Sequence, residues 1–161
     1  GIPVFTFLLS LKYKNFFILG LVDQPILKER FWNSNNEAYL NNKQIKVRQC
    51  SNLSQSVVAI TDPNMFNNFE ELSKNILNTF NFIRRGTDAI GYMRCAEGII
   101  DAVIERNIKI WDIAAIIPIL EASGGISSTW DGKQVGDNDT ILACGDKKLH
   151  KKLVNTLQNY L

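Results

Sequence analysis

No uninterrupted apolar stretch in the 161 residues reaches the roughly eighteen needed to span a membrane, so a transmembrane helix is not expected. The opening Gly1-Ile2-Pro3-Val4-Phe5 has no basic n-region of a signal peptide, and it reads like the middle of a domain rather than a natural start. Cysteine is scarce: Cys50, Cys95 and Cys144 are odd in number, far apart and without a C-x-x-C pair. Neither a disulfide framework nor a zinc site is indicated, and a reducing cytoplasm is the expected compartment. Charge of one sign is lacking too. Lys and Arg number 18 against 16 Asp and Glu, and the scattered basic residues form no stripe for nucleic acid. The densest basic run, Lys147, Lys148, His150, Lys151 and Lys152, opens an amphipathic C-terminal helix and reads as its solvated face. Repeats, low-complexity tracts and obvious linkers are absent.

What remains is the composition of a soluble globule, 45% hydrophobic and 21% charged, in a chain long enough to bury a substantial core. The first third is β-rich. Strands are expected at Val4 to Leu11, Phe16 to Val22, Glu29 to Trp32, Ala38 to Leu40 and Gln44 to Val47, with turns at Lys12 to Asn15 and Asn41 to Lys43. Such a meander needs a cover on its apolar faces, and few helices follow nearby to provide it.

After a further strand at Ser56 to Ile60, the period changes at Thr61-Asp62-Pro63-Asn64. Met65, Phe66, Phe69, Leu72, Ile76, Leu77 and Phe80 predict one helical face, capped by Asp62 or Asn64. Then come a short Phe82-Ile83-Arg84, a helix from Thr87 to Glu97, a strand from Ile99 to Glu105, and a helix beginning near Asp112. Pro118 is expected to bend that helix and Gly124-Gly125 to end it. A strand from Thr140 to Cys144 and a helix striped by Leu149, Leu153, Leu157 and Leu161 close the chain. Sheet first, then alternating helix and strand, implies layered α/β (α+β) packing.

The most informative segment is Trp111-Asp112-Ile113-Ala114-Ala115, continuing to Ile119-Leu120-Glu121-Ala122-Ser123-Gly124-Gly125. Read by itself, Asp112 is a helix N-cap. The whole string resembles the second signature of the inositol monophosphatase family, a W-D-x-A-A helix ending in E-A-G-G, with Ser123 where Ala is more usual. Leu21-Val22-Asp23-Gln24-Pro25-Ile26-Leu27-Lys28-Glu29-Arg30 is similar to the D-Q-P-x-L-x-E-R segment of the family's histidinol-phosphate phosphatase branch. Leu40-Asn41-Asn42-Lys43-Gln44-Ile45 resembles its L-N-G-K-x-I. In the first of these segments the scaffold reading is kept for Asp23 and Arg30.

The resemblance implies the C-terminal part of an α-β-α-β-α sandwich, with residues 1–54 continuing a metal-site domain and 55–161 forming an αβα domain. It makes Asp112 a Mg²⁺ ligand, a role suited to a hard carboxylate oxygen. Glu105, seven positions earlier, becomes an acceptor for a substrate hydroxyl, the alternative being a solvated carboxylate at a strand end. Gly86-Thr87-Asp88 becomes a pocket element, the alternative being an ordinary helix cap. In the branch the Asp of that element faces a cationic substrate amine, although Ala89 and Ile90 depart from the branch's C-Y.

The D-P-x-D-G-T signature, which carries the catalytic Thr and most metal ligands, is absent from the sequence and is expected upstream of Gly1. The implied whole is a Mg²⁺-dependent phosphatase with two or three metal ions. It would act on a small phosphorylated alcohol, histidinol phosphate or inositol monophosphate, as a homodimer without nucleic acid or membrane. The fragment alone is expected to be inactive. The competing expectation is a non-catalytic interaction module or pseudoenzyme of the same fold.

Overall fold

Alternating apolar and polar residues carry residues 7–45 into an antiparallel meander of β1 (Phe7–Tyr13), β2 (Phe16–Gln24), β3 (Glu29–Ser34), β4 (Glu37–Leu40) and β5 (Lys43–Ile45), each paired with the next. The computed structural model describes residues 3–136 and 140–161, so Gly1 and Ile2, which precede the expected first strand, lie outside it. Each of the four hairpin connections places one residue in the left-handed region: Lys14, Lys28, Asn35 and Asn41, with φ of 55°, 56°, 53° and 53°. Asn tolerates that geometry through its short polar side chain. The first strand begins later than expected and runs on to Tyr13, which narrows the expected turn to Lys14 and Asn15.

The second sheet has the order β7-β6-β8-β10-β9. Its strands are β6 (Val57–Ile60), β7 (Phe82–Arg85), β8 (Ala102–Arg106), β9 (Ile126–Ser128) and β10 (Thr140–Cys144). β6 runs parallel to β7 and β8, whereas β10 is antiparallel to β8 and β9. The helices are α1 (Phe69–Asn75), α2 (Asp88–Ala96), α3 (Ile110–Ile113), α4 (Ile116–Ala122) and α5 (Lys147–Leu157).

Successive residues of β6, β8 and β10 face opposite ways and join different cores. Ala59, Val103, Ile141 and Ala143 meet Tyr92, Met93, Ile116, Ile119 and Leu120 of α2 and α4, and that same core takes in Val22, Phe31, Ala38 and Ile45 of the meander. Val58, Ile60, Ile104 and Leu142 instead join Leu72 of α1, Leu149, Leu153 and Leu157 of α5, and Trp130. The layers are therefore sheet, helix pair, sheet, helix pair. Arg48 joins the two halves through a double hydrogen bond to fully buried Asp101 at 3.0 and 2.5 Å, and Asp101 also accepts the Val57 amide at 2.7 Å. Among the described residues no helix is long and apolar enough to cross a membrane.

Two helices differ from the sequence expectation. The face running from Met65 to Phe80 is broken into a 3₁₀ turn at Pro63–Met65, α1, and a second 3₁₀ turn at Leu77–Thr79. Asn67, Asn68, Asn75 and Asn78 interrupt it, and Asn competes for backbone hydrogen bonds more readily than it extends a helix. Pro118 bends nothing. The chain breaks earlier, between α3 and α4, so Pro118 falls in the first turn of α4, where a missing amide costs no helical bond.

The outer face of the meander is bare: Phe7, Leu9, Leu11, Tyr13, Phe16 and Leu19 are all exposed. Its inner face is closely fitted. At Gly20 an added Cβ would lie 1.9 Å from the Ala115 carbonyl oxygen, and the Ser10 hydroxyl donates to the Ala114 carbonyl at 2.8 Å. These contacts seat the α3–α4 junction on β1 and β2. Gly20→Ala is expected to lower stability by about 2–3 kcal/mol, because only backbone movement relieves the clash. A urea unfolding midpoint within error of the parent chain would refute that account of the seat.

Candidate active site

In an open α/β sheet, ligand sites form beyond the carboxyl ends of parallel strands. Here β6 ends into Thr61 and β8 ends near Glu105. Asp88 opens α2 beside them, and Asp112 lies on α3. These four residues line one cavity of about 460 Å³. Val4, Phe5, Leu8, Met65, Ala89, Ile108 and Ile113 supply its apolar wall, and Tyr92 and Asn107 further polar groups. Three carboxyl groups thus share a cavity whose lining, among the described residues, includes no Lys, Arg or His.

Glu105 is only 4% exposed. Its Oε2 accepts a hydrogen bond from the Tyr92 hydroxyl at 2.5 Å, while Oε1 is buried without a partner. Burial pushes its pKa up to about 7, with the charges of Asp88 and Asp112 adding to the rise and the hydroxyls of Tyr92 and Thr61 opposing it. The Thr61 hydroxyl is itself buried with no hydrogen bond of good geometry. Tyr92 is 2% exposed, and burial followed by the Glu105 charge holds its phenol well above the usual value, so it donates rather than ionises.

Asp112 is exposed, at the third position of α3. Its Oδ2 accepts the Lys109 amide at 2.8 Å, which makes it a capping partner and a wall of the cavity at once. Trp111, the other half of the motif, is 70% exposed and lies outside the lining.

The Gly86-Thr87-Asp88 element divides. Asp88 lines the cavity in a left-handed conformation at φ 45°, a costly geometry for a residue other than Gly. Gly86, at φ 63°, makes the turn into α2 and is not part of the lining. Thr87 is also outside it. The Thr87 hydroxyl is buried without a partner and lies over Gly91, where a Cβ would come within 2.3 Å of it.

The sequence reading does not single out Thr61 or the pairing of Tyr92 with Glu105. One signal was available: Asp88 and Tyr92 are four apart on α2 and so share a helical face. A wider depression of about 880 Å³ lies on the outer face of the meander, lined by Leu19, Leu21, Trp32, Asp23 and Arg30. Its Asp23 and Arg30 are already paired at 2.7 Å, as scaffold residues would be. Among the described residues, no group of three or more His, Cys, Asp or Glu gathers closely enough to hold a metal ion.

A family model described as the inositol monophosphatase family matches residues 1–161. The chain is 35% identical over 171 residues to a chloroplastic bifunctional phosphatase of Arabidopsis thaliana, a match covering 98% of this chain and 49% of that protein. It is 29% identical over 167 residues to a fructose-1,6-bisphosphatase/inositol-1-monophosphatase of Aquifex aeolicus, covering 100% of this chain and 62% of that one. A solved inositol monophosphatase from Zymomonas mobilis superposes with a TM-score of 0.90 at 28% identity, over 97% of this chain and 63% of its own. The chain therefore spans about half to somewhat under two thirds of the length of these relatives.

The raised pKa of Glu105 carries a pH dependence. Folded, the carboxyl keeps its proton to about pH 7; a free Glu loses it near 4.5. The folded state binds more protons in between, so stability is full below the lower value and is lost as pH rises through the upper one. The loss is on the order of 2–3 kcal/mol in metal-free buffer. Glu105→Gln is expected to remove it, as read from urea midpoints at pH 5 and pH 8. The comparison with the parent chain separates this effect from His150, whose burial-lowered pKa acts in the opposite sense.

Proposed function

The chain belongs to the inositol monophosphatase family, and on that premise we propose that it is the substrate-holding part of a Mg²⁺-dependent phosphate monoester hydrolase. The observation that carries this reading is Glu105 Oε1, a buried oxygen without a partner in the wall of a cavity shared with Asp88 and Asp112. Leaving such an atom unpaired costs about 1–3 kcal/mol, a cost that a ligand donor removes.

The cavity suits the alcohol half of a substrate. Its apolar wall takes a carbon skeleton, and Glu105 Oε1 accepts from a hydroxyl or an ammonium group. Asp88 adds negative charge at the same cavity, which favours a cationic alcohol. On that ground we assign histidinol phosphate as the preferred substrate over inositol monophosphate. A phosphate dianion, by contrast, is repelled by Asp88, by Asp112 and, once its proton is lost, by Glu105, unless a cation accompanies it.

Asp112 offers the hard oxygen such a cation needs, but the described residues do not by themselves make a Mg²⁺ site. Mg²⁺ demands a near-octahedral set of oxygens, and Asp112 supplies one carboxylate with one oxygen already engaged. We assign the remaining ligands to polypeptide outside these 161 residues. In a complete site Asp112 would be one holder of the Mg²⁺, which would supply a water of lowered pKa and offset phosphoryl charge. In the same reading, residues 1–54 belong to the metal-site domain and 55–161 to the αβα domain. The whole protein is a cytoplasmic homodimer.

The competing reading, a non-catalytic module, is favoured by the absence of a ligand cluster among the described residues. The two separate in one assay with Mg²⁺ and histidinol phosphate, comparing this chain with the same chain extended upstream of Gly1. The extended protein is expected to turn over at least about a hundredfold faster, since metal catalysis contributes several kcal/mol. Asp112→Asn in the extended protein is expected to cost a comparable factor and to abolish the rise in Tm on adding Mg²⁺. Equal turnover of the short and extended chains would overturn the assignment of the ligands, and no turnover in either would favour the module.

A further inference from the structure

We propose that Tyr92 is a positioning residue for Glu105: its phenol engages Oε2 inside the protein, so that Oε1 alone is presented to the hydroxyl or amine of a ligand. The proposal rests on the reading of the cavity as a substrate site and adds the group that aims its buried carboxyl.

The geometry is asymmetric. Tyr92 comes from α2 and Glu105 from β8, and their side chains meet at 2.5 Å in a contact almost wholly shut off from solvent. A carboxyl that only stabilised the fold would have both oxygens paired, because an unpaired buried oxygen is costly. Here one is held and the other has no partner. Thr61, at the end of β6, brings a second buried hydroxyl to the same wall, close enough to act on Glu105 but without a hydrogen bond of good geometry.

The arrangement also decides where a proton sits. Tyr92 donates to Oε2, so a proton carried by Glu105 resides on Oε1 and faces the ligand as a donor. Once it is lost, Oε1 becomes an acceptor. The charged groups acting on Glu105 are Asp88 from α2 and Asp112 from α3, both of which favour the protonated form; the hydroxyls of Tyr92 and Thr61 favour the ionised form. Tyr92 thus brings the acceptor state to lower pH and fixes its direction. Asp88, four residues earlier on the same helix, lines the cavity that this oxygen serves.

The experiment compares the parent chain with Tyr92→Phe, which keeps the ring and removes only the hydroxyl. Glutamate carboxyl carbons are labelled with ¹³C, the Glu105 signal is assigned by its absence in Glu105→Gln, and its titration is followed by NMR with and without millimolar L-histidinol as probe. Tyr92→Phe is expected to raise the Glu105 midpoint, at least about threefold in the protonation constant. It should weaken histidinol binding at pH 7 roughly three- to tenfold. In the Glu105→Gln background the same substitution should leave histidinol binding unchanged, a coupling that loss of packing would not produce.

An unmoved midpoint removes the role of Tyr92 and leaves the substrate reading standing. A moved midpoint with no histidinol response in the parent chain removes the substrate reading, and with it the presentation of Oε1. Equal losses of binding in the parent and Glu105→Gln backgrounds make Tyr92 a packing residue only.

Discussion

The contact between the α3–α4 junction and the first two strands decides where the cavity lies. α3 has four residues, too few to persist without tertiary support. It is held because Gly20 lets the Ala115 carbonyl approach β2 to a distance that any Cβ would forbid, and because Ser10 on β1 donates to the Ala114 carbonyl beside it. Asp112 stands two residues before that junction, and neighbouring Ile113 is fully buried. The meander therefore does more than cover a helix pair. It fixes a carboxylate opposite the ends of the second sheet, while the Arg48–Asp101 bond ties the chain leaving the meander to the start of β6.

Electrostatics give the cavity its chemical character. Asp88, Glu105 and Asp112 line one cavity with no cationic side chain among its described lining, and burial keeps Glu105 protonated to about pH 7. A cavity built this way is incomplete by itself, because unbalanced carboxylates gain from any cation that enters. The local costs gather here as well: the left-handed Asp88 and the unpartnered oxygens of Thr61, Thr87 and Glu105 lie within or beside this one region. Departures from local consistency are expected at functional sites, where ligand contacts rather than the fold alone justify them.

The strands were legible because apolar alternation is a direct record of burial: the eight segments read as strands and the short Phe82-Ile83-Arg84 each have a counterpart, and among the described residues only the short β9 was not read. Asp88, Glu105 and Asp112 were legible through motif resemblance, which spacing alone would not have supplied. Other features depend on tertiary packing. The Met65 to Phe80 stripe faces the core in three separate pieces, so its apolar spacing survives although its helix does not. Thr87 sits at a motif position, yet its direction is set by the absence of a side chain at Gly91, one turn later. The partnership of Tyr92 with Glu105 joins a helix to a strand across the central layer, and a one-dimensional pattern carries only the four-residue step from Asp88.

The two readings of Asp112, cap or ligand, are not exclusive, because a carboxylate has two oxygens. Oδ2 is held by the Lys109 amide, which pins the side chain at the cavity wall. Glu105 shows the same division, with Oε2 held by Tyr92 and Oε1 buried without a partner. In both, a protein donor restrains one oxygen and so removes the rotational freedom that a ligand or cation would otherwise have to freeze on binding. Restraint of this kind is what separates a preorganised electrostatic site from carboxylates that merely lie near one another. The bond that completes the helix end is also the one that holds the remaining oxygen of Asp112 in place.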